Sequence, residues 1–120
     1  MKGRPLSERI GFALAGLRTG WRREASFRSH IGFASGAAVA LLILRPVPVW
    51  WALVAVTVAI VLALELLNPS LEGVIDLLHP GLHPEIGAVK DMLAGAVLIA
   101  AMAALVVAAA MVIDTMEWLA

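Results

Sequence analysis

The chain contains no cysteine, which excludes a disulfide framework and any thiolate chemistry. It also has no G-x-x-x-x-G-K-[ST] phosphate loop, no G-x-G-x-x-G fingerprint and no kinase catalytic loop. Any nucleotide chemistry must therefore do without the usual soluble apparatus. Charge is scarce too. Only 15% of the 120 residues are Asp, Glu, Lys or Arg, against roughly a quarter in a soluble domain. A soluble domain of this size has too much surface to cover with so few charges, and no internal repeat is evident that would build a solenoid. What is present is apolar: 62% of residues are hydrophobic and the mean hydropathy is +0.94. One domain dissolved in a membrane is the reading these figures support.

The net charge of +0 hides an asymmetry. Lys2, Arg4, Arg9, Arg18, Arg22, Arg23 and Arg28 put most of the basic residues at the start of the chain. A membrane-like remainder makes nucleic acid a poor partner for them. The first strongly apolar stretch begins near Ile31, after a long charged segment, so the start does not read as a cleavable signal peptide.

Residues 6–28 read as an amphipathic interfacial helix, with Leu6, Ile10, Leu14, Leu17 and Trp21 at helical spacing on one side and Glu8, Arg18, Arg22 and Arg23 mostly on the other. Three membrane helices follow, over about 29–45, 49–78 and 87–118. The first of these starts as early as Ala25, and Arg45-Pro46 and Pro48 end it. The second carries no charge between Val47 and Leu64. His79-Pro80-Gly81 and Pro84 form a loop, and Met92–Ile113 is an uncharged third span. The fold class is thus an all-α integral membrane protein, a single domain over residues 1–120. The basic amino terminus should be cytoplasmic and the carboxyl terminus outside. Trp50, Trp51 and Trp118 then lie at the outer interface, where indoles are favoured, and Trp21 at the inner one.

One stretch breaks the apolar pattern. Glu65, Asn68, Glu72 and Asp76 fall within roughly 80° of one another on a helix and span about 16 Å along it. They sit at the cytoplasmic end of the second span, where a carboxylate must face protein or water rather than lipid. Three carboxylates on one face repel, so a cation is expected beside them: Lys90, an arginine of the first helix, or a metal ion. Pro69 leaves the carbonyl of Glu65 without its helical donor and should kink or open the helix.

A hard divalent cation such as magnesium takes one or two carboxylates, keeps waters and bridges phosphate oxygens. Glu24 and Glu72 are the candidate carboxylates, and Lys90 is a candidate point charge for phosphate. Taken singly, each reads better as an interfacial salt bridge; it is their convergence at one membrane face that points to chemistry. His79 and His83 are four apart, but Pro80 and Gly81 between them prevent a regular helix from aligning them on a metal.

Three segments in order and register resemble the prokaryotic diacylglycerol kinase family of small integral-membrane lipid kinases. G-L-R-T-G-W-R-R-E-A-S-F-R (16–28) resembles its surface-helix motif, E-L-L-N-P-S-L-E-G-V-I-D (65–76) its E-x-x-N-x-x-x-E-x-x-x-D signature, and H-P-E-I-G-A-V-K-D-M-L-A-G-A-V-L (83–98) its A-K-D segment. The resemblance implies a homotrimer with one surface helix and three spans per chain. It implies transfer of the γ-phosphoryl of ATP to a membrane lipid hydroxyl, at the cytoplasmic face of the bacterial inner membrane. By the same resemblance Glu65 is the general base and Asn68 the amide beside it. Glu24 and Glu72 bind Mg2+ and contact nucleotide. Gly81, Leu82, His83, Lys90 and Asp91 touch ATP. Arg18, Trp21, Phe27, Arg28, Glu65 and Ala94 line the lipid site.

The chain departs from the family pattern in places. Ala94 stands where serine is common, and alanine there, like S-F-R-S-H, is similar to the branch that phosphorylates undecaprenol. Pro5 falls where an arginine contacts nucleotide, with Arg4 and Arg9 nearby, and Phe12 falls where a tyrosine is found. The acceptor is therefore diacylglycerol by family, with undecaprenol as the alternative. A non-catalytic small oligomeric membrane protein or transporter subunit is the rival of another class. A transport path would place its polar groups near the bilayer midplane, and here they gather at one end.

Overall fold

The structure, a computed structural model, describes residues 2–81 and 83–119, with the side chains of Trp118 and Leu119 excepted. Its described elements are four helices: α1 (Leu6–Arg23), α2 (Ala25–Leu44), α3 (Pro48–Leu78) and α4 (Pro84–Leu119). The last three are long and apolar enough to cross a membrane.

Each helix ends for a local reason. The helix expected over 6–28 stops at Arg23, because Glu24 is extended (φ −113°, ψ 105°) and turns the chain into α2. The orphan carbonyls at the end of α1 find donors at this corner. The Glu24 N–H donates to Gly20 O at 2.9 Å, and the Arg28 guanidinium donates to Trp21 O at 2.7 Å and Arg22 O at 3.3 Å. Helix α2 ends at Arg45, a left-handed residue (φ 46°, ψ 58°) whose N–H donates to Leu41 O, and Pro46 cannot continue the helix. Pro48 opens α3 at the position where a missing N–H costs nothing. In front of α4, the Nδ1 of His83 accepts from the Glu85 N–H at 3.1 Å and satisfies one first-turn donor.

Helices α3 and α4 pack along each other, α2 packs on α3, and α1 on α2. The apolar core of the single chain is small: Leu41 of α2, Val54 of α3 and Met111 of α4 meet near the α2–α3 turn, with Trp50 and Val107 beside them. Most other large apolar side chains face outward, among them Ile43 and Ile99, as expected where lipid or protein rather than water is the surround. At that end the Trp50 indole N–H donates to Asp114 Oδ2 at 2.9 Å, tying the start of α3 to the end of α4. The hydroxyl of Thr115, one residue on, is buried without a partner.

Helix length places the polar stripe. At 1.5 Å per residue the 31 residues of α3 run about 46 Å, while the hydrocarbon core is about 30 Å thick. About 20 residues from Pro48 cross it, which brings the chain to Leu67. Asn68, Glu72 and Asp76 then project past the apolar layer.

Candidate functional site

The corner between α1 and α2 docks against α3 where Glu65, Asn68 and Pro69 lie. Gly20 makes the approach possible. It is buried, and a Cβ there would overlap the Leu66 side chain and reach the Phe27 ring at 3.5 Å. Beside this contact lies a cavity of about 290 Å³, with Thr19, Arg23 and Glu24 on one wall and Pro69 and Ser70 on the other.

Glu65 is 5% exposed, the most buried charged residue described. A carboxylate out of water needs polar partners, and one stands at each of its oxygens. The Ser26 hydroxyl donates to Oε2 at 2.6 Å, and the Nδ1 of His30 lies 2.9 Å from Oε1. The same Nδ1 is 2.9 Å from the Ser26 carbonyl, so it faces two acceptors and must carry a hydrogen. Ser26 and His30 are four apart on α2, on one face of its first turns.

Asn68 is half-buried, and its Oδ1 is buried without a donor. Glu24 and Glu72 are half-buried carboxylates with no side-chain hydrogen bond or ion pair among the described residues. No group of three His, Asp or Glu there gathers closely enough to hold a metal by itself. The cation expected beside the stripe is Lys90. Its Nζ donates to Asp76 Oδ1 at 2.7 Å, joining the end of α3 to the start of α4 across the loop. Asp91 and Ala94, further along α4, are exposed.

The loop between α3 and α4 borders an open cavity of about 550 Å³, lined by Leu78, His79, Pro80, Gly81, His83 and Ile86. That is within the range of small-molecule sites. Leu82, expected in the same nucleotide-contacting segment, lies outside the described residues. Of the residues expected to line the lipid site, Arg18 and Trp21 are exposed on α1, and Phe27 is 2% exposed beneath the corner. Arg28 is exposed but spends its guanidinium on the end of α1.

Two members of this constellation carry no signal in the sequence that assigns them a role. Ser26 and His30 reach Glu65 over 39 and 35 positions, and only their i, i+4 spacing at the start of an apolar helix marks them.

A family model described as prokaryotic diacylglycerol kinase matches residues 11–112. A Synechocystis protein named diacylglycerol kinase is 40% identical over 99 residues, a match that covers 80% of this chain and 55% of that protein. The chain thus spans about half the length of that relative. The diacylglycerol kinase of Escherichia coli strain K12 is 34% identical over 103 residues, covering 80% of this chain and 79% of that protein.

Proposed function

The chain belongs to the prokaryotic diacylglycerol kinase family, and from that membership we propose that it is an ATP- and magnesium-dependent lipid kinase of the bacterial inner membrane. It transfers the γ-phosphoryl group of ATP to a lipid hydroxyl, with diacylglycerol giving phosphatidic acid. The convergence of Glu65, Asn68, Glu72, Lys90 and the Glu24 corner at one end of the helices is the observation that supports this most. Undecaprenol is the second acceptor, favoured by Ala94 where the family often has serine.

Phosphoryl transfer asks for positioning and charge stabilisation more than for covalent chemistry. Glu65 is the general base, taking the proton of the lipid hydroxyl as its oxygen attacks the γ-phosphorus and ADP leaves with the electrons of the broken bond. Such a base contributes about 10²- to 10⁴-fold. Lys90 is the point charge for the phosphates, Asp91 lies beside it, and the Gly81–His83 loop with its cavity receives the nucleotide. Arg18, Trp21, Arg28 and Ala94 border the lipid, and Phe27 packs beneath them at the corner.

Glu24, Glu72 and the Oδ1 of Asn68 are hard oxygen donors with no side-chain hydrogen bond or ion pair among the described residues, which suits magnesium. Glu24 and Glu72 would hold it, leaving its remaining positions to water and phosphate. When bound, the ion neutralises phosphate charge and orients the transferring group. A homotrimer with cytoplasmic amino termini completes the proposal.

The test is transfer of labelled γ-phosphate from MgATP by protein in mixed micelles, with diacylglycerol and undecaprenol offered separately. Label in one lipid supports the kinase and selects its acceptor. Well-folded protein that labels neither would leave the non-catalytic membrane protein as the better account.

A further inference from the structure

The carboxylate of Glu65 is gripped at both oxygens by residues that neither the sequence pattern nor the family match assigns a role. Ser26 Oγ donates to Oε2 at 2.6 Å, and His30 Nδ1, hydrogen-bonded to the Ser26 carbonyl, stands 2.9 Å from Oε1. Both partners come from α2, one turn apart, and Ser26 lies in the first turn, where helix N–H groups favour a nearby negative charge. The imidazole is itself fixed. Its Nδ1 lies between the Ser26 carbonyl and Glu65, and its ring meets Phe33 edge-on with centroids 6.1 Å apart.

We propose that Ser26 and His30 are positioning residues for the base of the transfer reaction, a two-point clamp that holds the Glu65 carboxylate in the orientation that receives the lipid proton. The proposal rests on Glu65 being that base. A glutamate has three side-chain torsions, and a base must lie within hydrogen-bond reach of the proton it takes. One contact fixes one oxygen and leaves the carboxylate free to swing about it; a second polar contact at the other oxygen fixes its plane. Both come from the helix that follows the Glu24 corner, so the clamp also sets α2 against α3 beside the carboxylate proposed to bind magnesium. Outer partners that orient metal-ligating side chains are worth about 10- to 100-fold in activity, and the same scale is expected for partners that orient a base.

Steady-state kinetics of the full-length protein in mixed micelles test this, with Ser26→Ala, His30→Leu, His30→Asn and Glu65→Gln compared. The amide of asparagine places an N–H close to where Nδ1 stands, so it keeps a polar hydrogen beside Oε1 and removes the rest of the ring. The clamp requires kcat to fall about 10- to 100-fold in Ser26→Ala and in His30→Leu. KM for MgATP and for lipid should stay within about twofold, and His30→Asn should recover most of the loss. If Ser26→Ala and His30→Leu keep wild-type kcat while Glu65→Gln is inactive, the base stands and the clamp is overturned. A loss in His30→Leu that asparagine does not restore, or one shared between kcat and KM, means that His30 serves packing alone. That result overturns its half of the clamp, and Ser26→Ala then decides the other half. An active Glu65→Gln removes the base itself.

Discussion

Gly20→Ala is the substitution whose outcome the structure determines most sharply, because two terms of opposite sign meet at one atom. In a helix such as α1, alanine is favoured over glycine by about 0.5–1 kcal/mol. At Gly20 the added methyl overlaps the Leu66 side chain and lies 3.5 Å from the Phe27 ring. Phe27 is 2% exposed and has no space to withdraw, so Leu66 must swing away. Overpacking of this kind costs about 1–3 kcal/mol. The single substitution should therefore be neutral to destabilising by about 2.5 kcal/mol. With Leu66→Ala in the background the obstacle is gone, and Gly20→Ala should stabilise by about 0.5–1 kcal/mol. The four proteins form a double-mutant cycle, in which the cost of Leu66→Ala cancels and a coupling of about 1–3 kcal/mol remains. Unfolding in mixed detergent, followed by tryptophan fluorescence, reads it. An equal effect of Gly20→Ala in both backgrounds would show that α1 does not approach α3 at Leu66, and the corner built on that contact would have to be redrawn.

Three further outcomes are expected. Glu72→Gln should raise the magnesium concentration for half-maximal phosphorylation by about tenfold or more while leaving KM for lipid unchanged, measured by titrating Mg2+ at fixed ATP. Lys90→Met should raise KM for MgATP by about tenfold or more, and its thermal midpoint should stay near wild type because its ion pair with Asp76 is exposed, read by kinetics and circular dichroism on one preparation. Asp114→Ala should cost about 0.6–2 kcal/mol of stability through the lost bond from Trp50 and leave kcat unchanged, because that contact joins the opposite ends of α3 and α4.

The broad architecture was legible because its causes are local. Apolar length marks the three long helices, Arg45-Pro46 and His79-Pro80-Gly81 mark the breaks, and helical spacing gathers Glu65, Asn68, Glu72 and Asp76 on one face. The turn at Glu24 was not legible. W-R-R-E-A-S-F-R holds neither glycine nor proline, and the break is stabilised by Arg28 reaching back to carbonyls six and seven residues away. Propensity alone carries the helix through such a sequence, and the tertiary contact stops it. Lys90 was expected among the cations beside the acidic face, and Asp76 receives it. The contact of Ser26 and His30 with Glu65 is not legible, because a serine and a histidine at the start of a span read as interfacial. Only the fold shows that they face the buried carboxylate of α3 across 39 and 35 positions. Trp50 reads as an interface anchor, and its indole also has a partner in Asp114, 64 positions away.

The central claim is that Glu65 is the base of a lipid phosphotransfer. Its most direct test is the initial rate of labelled γ-phosphate transfer by wild type and Glu65→Gln, at saturating MgATP and whichever lipid is accepted. The glutamine keeps the size and an acceptor oxygen of the side chain but cannot take a proton. The account predicts a fall in kcat of about 10²-fold or more with binding of MgATP retained. A Glu65→Gln protein that phosphorylates lipid at the wild-type rate would contradict it.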